Sequence, residues 1–197
     1  AQATLATGTN VDVAGGLAPV EGGYRVSLDR ADLAQGSIAA RLANPTTLLV
    51  QGNSVALDAL RFDVGSGSIT ASGTAGETLA LNVNISALPL SIANTIVPSL
   101  GLAGTLSGSA KISGPAKAPA GNYNLTIAKV STPDLAKNGV GPLDIRAEGQ
   151  LANGRVGTQA SISGPFISGV TITGSAPISA GELDLAIKGA LDLAVAN

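Results

Sequence analysis

The chain has 197 residues, a net charge of -2, and neither His nor Cys. Its 11 basic and 13 acidic residues are scattered singly, which argues against nucleic acid as a partner; without His and Cys, the commonest general base, metal ligand and thiol nucleophile are missing. Hydrophobic residues make up 45% but aromatic residues only 2%, so apolar contacts must come from many small aliphatic side chains, which favours a long thin surface.

Length and composition predict a single extended unit spanning residues 1–197. The chain contains no Met, which suggests a piece of a longer protein. No run of 18 apolar residues and no charged-then-apolar leader occurs, so we expect this segment neither to span a membrane nor to target itself. The absence of Cys is compatible with the periplasm.

The first part of the chain already alternates between apolar and polar residues. Ala3, Leu5, Val11 and Val13 predict strand structure that ends in a turn at Gly15-Gly16. Further strands are predicted at 24–29, 37–42, 48–50, 55–64 and 69–72, and residues 31–36 fit either a bend or a bulged continuation.

The clearest alternation lies at residues 79–86. Four aliphatic side chains point one way, while Ala, two Asn and Ser point the other. The following residues 91–97 predict a two-turn helix, because Ile92, Ile96, Val97 and Leu100 fall on one side of a helical wheel. Ser91 is placed to cap it, and Pro98 ends it. This helix could plug one mouth or edge of the sheet or simply connect two strands.

Strands resume after the helix. They are predicted at 102–112, 122–130, 143–151, 155–163, 170–174 and 183–195, with Asn153-Gly154 as a strong hairpin signal. Sequential antiparallel pairing is the economical topology. A dozen strands would form a twisted sheet on the order of 50–60 Å long.

The apolar face of this sheet needs a cover. A second sheet, closure into a barrel, or a guest in a bent trough would each provide one, and a tightly packed solenoid of small side chains is also compatible with the composition. The residue pattern leaves these alternatives open.

No motif predicts catalysis or a cofactor. Gly65-Ser66-Gly67-Ser68 and the glycines near residue 101 complete neither a dinucleotide fingerprint nor a P-loop. The close carboxylate groupings, Asp29 with Asp32, Asp58 with Asp63, and Glu182 with Asp184, are typical of solvated strand edges rather than of a metal site. We therefore expect a protein that is not an enzyme.

Residues 89–108, continuing through Lys111-Ile112-Ser113-Gly114, resemble a segment in the C-terminal region of TamB-family proteins, and a looser resemblance covers about 55–164. These AsmA-like proteins act in outer-membrane biogenesis of Gram-negative bacteria. The resemblance implies an all-β fold: a long antiparallel sheet folded into a taco-like open groove with an apolar interior.

The resemblance also implies which residues carry function. Eleven aliphatic side chains would line the groove: Leu79, Leu81, Val83, Ile85, Leu125, Ile127, Leu143, Ile145, Leu183, Leu185 and Ile187. The cargo would be phospholipid acyl chains or another apolar molecule. The chain would lie in the periplasm, in a protein anchored in the inner membrane and partnered by an outer-membrane assembly barrel. Alternative hypotheses are a chaperone-like factor that pairs a strand edge with unfolded outer-membrane proteins, and a structural β-solenoid or adhesin segment.

Overall fold

The computed structural model describes residues 2–4, 10–36 and 38–191, and their fold is all-β. Fourteen strands form one antiparallel sheet, as the alternating pattern predicts. The strands are β1 (Gln2–Thr4), β2 (Asn10–Val20), β3 (Gly23–Gln35), β4 (Ile38–Leu42), β5 (Thr46–Gln51), β6 (Ser54–Val64), β7 (Gly67–Ala75), β8 (Thr78–Pro89), β9 (Ala103–Pro115), β10 (Ala120–Ser131), β11 (Leu143–Ala152), β12 (Arg155–Gly164), β13 (Ile167–Pro177) and β14 (Asp184–Leu191). The strand signals at Leu5 and at 192–195 lie outside the described residues.

Consecutive strands are neighbours in the sheet, except where β4 and β5 share one position between β3 and β6. Pro45 interrupts this position because proline cannot donate to the ladder. The gap is bridged by Ala43, whose N–H donates to the carbonyl of Arg61 at 2.8 Å, and by the Thr46 hydroxyl, which donates to the carbonyl of Ala59 at 2.7 Å. The two short predicted strands are thus one interrupted strand.

The predicted turn at Gly15-Gly16 is wrong. β2 runs through both glycines to Val20, and its register with β3 shifts between Ala14 and Gly15. A Cβ atom at Gly15 would collide with the carbonyl oxygen of Ser27, so the glycine serves a close approach of backbones within a bulge. The segment 31–36 is a continuation of β3 as far as Gln35.

The hairpin at Asn153-Gly154 is confirmed. Both residues have positive φ angles, 52° and 68°, and they join β11 directly to β12. This combination belongs to the type I′ turn, whose twist matches the twist of the flanking strands.

The predicted helix at 91–97 is a 3-10 helix at Leu90–Thr95, followed by a second short one at Pro98–Leu100. The capping role predicted for Ser91 is wrong, because Pro89 occupies the N-cap and no side chain caps the helix. Asn94 fixes the segment instead: its amide donates to the carbonyl of Leu102 at 2.9 Å and accepts from the N–H of Leu102 at 2.8 Å.

The residues expected on one apolar side of that helix do not pack as a group. Ile96 is 79% exposed, and Val97 and Leu100 are also exposed. A one-turn α-helix, α1 (Pro133–Lys137), lies between β10 and β11, and the sequence pattern did not predict it. It begins with a proline, and the Thr132 hydroxyl accepts from the N–H of Leu135 at 3.2 Å, which is a regular N-cap.

The described part of the chain has no second layer over the sheet. Its buried apolar residues are only Ala31, Val64 and Ala160, and the accessible surface is 12096 Å², against about 8400 Å² for a compact protein of this mass. In β11 the apolar-facing residues are half-buried and the alternate ones are exposed. The same difference between the two faces recurs in β8 and along most of β10, whereas in β7 both faces are half-buried or buried. In β8, β10 and β11 the apolar face is therefore the more shielded of the two.

Candidate functional site

The candidate site is the shielded apolar face of strands β6–β14, which we call the inner face. Cross-strand pairing lines its side chains up in rows that run from strand to strand, at right angles to the strands. One row runs through Ile69, Ile85, Gly108, Leu125, Ala147, Ala160, Ile172 and Ile187. The inner face is therefore one continuous aliphatic surface rather than a set of separate pockets.

The structure places ten of the eleven predicted groove residues on the inner face. Those of β8, β10 and β11 are half-buried: Leu79, Leu81, Val83, Ile85, Leu125, Ile127, Leu143 and Ile145. Leu185 and Ile187 lie on β14 and are 47% and 70% exposed, and Leu183 precedes that strand and is 62% exposed. Among the described residues β14 has a neighbouring strand on one side, β13.

Sequence reasoning left several inner-face residues off the predicted site. They are Phe62, Ile69, Leu106, Ile112, Leu151, Ile162 and Ile172, which pair directly with predicted residues or continue their rows. The alternation that identified the others is present here too. Applying the parity of each strand through its whole length would have found them.

Two residues hold the strands in bends beside the inner face. Ala87 in β8 and Lys129 in β10 have positive φ angles of 46° and 55°, and the ladder shifts register at both places. The N–H of Ala87 donates to the Ser107 hydroxyl at 2.9 Å, and the N–H of Lys129 donates to the Asp144 carboxylate at 2.9 Å. Each bulge thus has its freed donor satisfied by the adjacent strand, which stabilises the curvature.

The opposite, outer face is polar. A depression of about 800 Å³ lies over β9–β12, and polar side chains at outer positions contribute to its lining: Ser109, Lys111, Asn122, Asn124, Glu148, Gln150 and Gln159. Tyr123, Gly149 and Thr158, which occupy inner positions, also contribute to it. These amides and charges would have to be desolvated by an apolar occupant, so this depression does not suit the predicted cargo.

Two ion pairs lie at the surface, and one of them involves Asp63 of the predicted carboxylate groupings. Asp12 pairs with Arg30 at 2.8 Å and Asp63 with Arg61 at 3.0 Å, all with exposed or half-exposed side chains. Within residues 10–36 and 38–191, no cluster of three His, Cys, Asp or Glu residues could hold a metal ion. Helices in the same described ranges are all too short to cross a bilayer.

Comparison of the chain with protein-family models, with curated proteins and with solved structures gives no match. The inner face must therefore be interpreted from its own chemistry.

Proposed function

We propose that the chain is a non-enzymatic groove segment that shields apolar cargo, in particular phospholipid acyl chains, as they pass between the inner and outer membranes. One observation supports this most directly: the inner face is aliphatic and continuous over nine strands, yet no protein layer covers it among the described residues. An apolar face that extends over several strands without a covering layer normally marks a binding surface.

The energetics suit a mobile lipid tail. Each buried methylene contributes about 0.8 kcal/mol, so a full acyl chain can be held by burial alone. Rows of similar aliphatic side chains repeat from strand to strand, which gives little preference for one position over the next. Cargo could slide across the nine strands of the inner face, β6–β14, a path of roughly 40 Å at the spacing of adjacent strands.

The part of this proposal that places the passage of acyl chains between the inner and outer membranes rests on the resemblance of residues 89–114 to the TamB family. That resemblance supports a periplasmic location, an inner-membrane anchor elsewhere in the protein and an outer-membrane assembly barrel as partner. A groove that carries acyl chains between membranes would need the uncovered apolar face described above.

The proposal can be tested by placing a charge on the inner face. Val83→Arg and Ile145→Arg should each weaken binding of a fluorescent fatty acid at least tenfold, because cargo would then have to desolvate a guanidinium. Asn84→Arg is the matched control, since Asn84 neighbours Val83 in the chain but faces outward. Equal affinity in all three variants would count against the groove, as would unimpaired outer-membrane integrity in cells carrying the inner-face variants.

A second candidate function draws on the edge of the sheet. β14 pairs with β13 on one side, and its Leu185 and Ile187 are exposed. An unpaired strand edge can accept an extended polypeptide as a further strand, which is how a chaperone-like factor would hold an unfolded outer-membrane protein. Crosslinkers on β14 should then capture polypeptide clients, whereas crosslinkers on β8 or β10 should not.

The third hypothesis, a structural solenoid or adhesin, requires an interior filled by the chain's own side chains. No large side chain among the described residues is fully buried. This observation favours the groove over a filled scaffold.

A further inference from the structure

The inner face of β6–β14 carries two hydroxyl groups on an otherwise apolar surface. The remaining inner positions that the structure describes in these strands are Gly, Ala, Val, Ile, Leu or Phe. The two exceptions are Tyr123 in β10 and Thr158 in β12. They lie in one row, on either side of Gly149 in β11.

These two side chains meet across the intervening strand. The Tyr123 and Thr158 hydroxyl oxygens are 2.6 Å apart. Gly149 makes the contact possible, because a Cβ atom there would lie 2.7 Å from Cε1 of Tyr123. The tyrosine ring therefore covers the glycine and brings its polar end to the third strand of the row.

A pair of hydroxyls has one donor more than its mutual hydrogen bond consumes. Each hydroxyl offers one proton, and either oxygen can be the donor in this pair. Whichever hydroxyl donates, the proton of the other one remains free to donate to a further acceptor beside the aliphatic side chains of the inner face. An apolar ligand on the inner face would displace the water that can otherwise accept from this donor, and a donor left without an acceptor is costly. An oxygen atom on the bound ligand would therefore be favoured at this place.

The surrounding charge selects the kind of oxygen. Lys111 in β9 and Arg146 and Glu148 in β11 belong to the same four strands, β9–β12, but each lies at an outer position of its strand. The inner positions of β9–β12 contain no cation to balance a phosphate or a carboxylate. A neutral acceptor is left as the fitting partner.

We propose that Tyr123 and Thr158 form a polar subsite that binds the ester carbonyl oxygen of an acyl lipid lying along the inner face. This inference rests on the proposed function, since it assumes that acyl chains occupy the groove. It adds that the groove recognises one chemical group of the cargo at this subsite, and it therefore prefers acyl esters to hydrocarbons or ethers of the same length.

A matched pair of ligands tests the subsite in the unmodified chain. Monomyristoylglycerol has the ester carbonyl, and 1-O-tetradecylglycerol has the same glycerol head and a similar chain without it. Isothermal titration below the micelle concentration of each should give an affinity about fivefold higher for the ester, as expected for one neutral hydrogen bond. Equal affinity for the two would overturn the subsite and leave the groove intact. Binding of neither would overturn both.

Variants then identify the residues responsible. Tyr123→Phe and Thr158→Val keep the shapes of the side chains, and each leaves one hydroxyl in place, so each single variant should retain part of the preference for the ester. The double variant should bind ester and ether equally. Tyr24→Phe removes the other tyrosine hydroxyl of the chain, which is 52% exposed, and should leave the preference at about fivefold.

A purely structural latch between β10 and β12 predicts a different result. Either single variant would break it completely, so the singles and the double variant would lose affinity for both ligands to the same extent. The ratio of ester to ether affinity would then stay constant in every variant. That outcome would contradict the subsite.

Discussion

At the scale of single residues, the curvature of the sheet depends on positions that the sequence does not reveal. Ala87 and Lys129 adopt left-handed backbone angles, a conformation typical of Gly and Asn rather than of these residue types. Asn153-Gly154 has the residue types that its turn requires, and for that reason its hairpin could be predicted. The two bulges could not, since they are imposed by pairing with the adjacent strands.

The strain at Ala87 predicts a stabilising substitution. Ala87→Gly should raise the free energy of unfolding by about 0.5 kcal/mol, because glycine avoids the left-handed penalty and loses part of the gain to its greater freedom in the unfolded chain. Urea denaturation followed by circular dichroism would measure it. Ala110→Gly, at an inner position without a positive φ angle, should instead be destabilising. A loss of stability in both variants would contradict the account of the bulge.

At the scale of elements, alternation predicted the strands and their faces well, because a period of two is a local property. It misplaced features that depend on neighbouring strands. The shared position of β4 and β5 and the passage of β2 through Gly15-Gly16 are set by pairing with β3. The helical pattern at 91–97 predicts a short helix, and the structure has a 3-10 helix at Leu90–Thr95. Its apolar residues do not form the predicted packed side, and the segment is held by the hydrogen bonds of Asn94 to Leu102.

The segment between β8 and β9 gives a prediction that distinguishes stabilisation by Asn94, seen in the structure, from the capping by Ser91 that the sequence predicts. Asn94→Ala removes both hydrogen bonds to Leu102, so the Leu102 amide should exchange faster with solvent and the free energy of unfolding should fall by about 1 kcal/mol. Ser91→Ala should change neither quantity, because Ser91 caps nothing. If Ser91→Ala had the larger effect, the capping expected from the sequence would be right after all.

At the scale of the whole molecule, each strand pairs only with its immediate neighbours. A destabilising substitution in one strand should then affect mainly the strands beside it, as in repeat proteins. Gly73 has a φ angle of 120° and no room for a Cβ atom beside the carbonyl of Ala80. Gly73→Ala should speed amide exchange in β6–β8 and leave β11–β13 protected.

Gly157→Ala is the control for this experiment. Its new Cβ atom would find the nearest atom, the Gln150 carbonyl oxygen, at 3.7 Å, an ordinary contact. We expect the free energy of unfolding to change by less than about 0.5 kcal/mol. Faster exchange in all strands of the Gly73→Ala variant would show that the sheet unfolds as one cooperative unit.

The sequence left open what covers the apolar face, since sandwich, barrel, solenoid and groove share the same local alternation. The structure resolves the architecture of the described residues as one single-layered sheet, and the nature of the guest stays a proposal. The inner-face residues omitted from the predicted site follow the same alternation as those included, so the sequence could have identified them. Which residues lie next to one another across the strands could not be predicted, because that depends on the strand register.

The most direct test places a photoreactive benzoylphenylalanine at Val83, Leu125 or Ile145 on the inner face, and at Asn84, Thr126 or Arg146 on the outer face. After irradiation in cells, mass spectrometry would identify what each position captures. A phospholipid groove predicts lipid adducts at the three inner positions and none at the three outer ones. Absence of lipid at the inner positions, or the same yield on both faces, would contradict it.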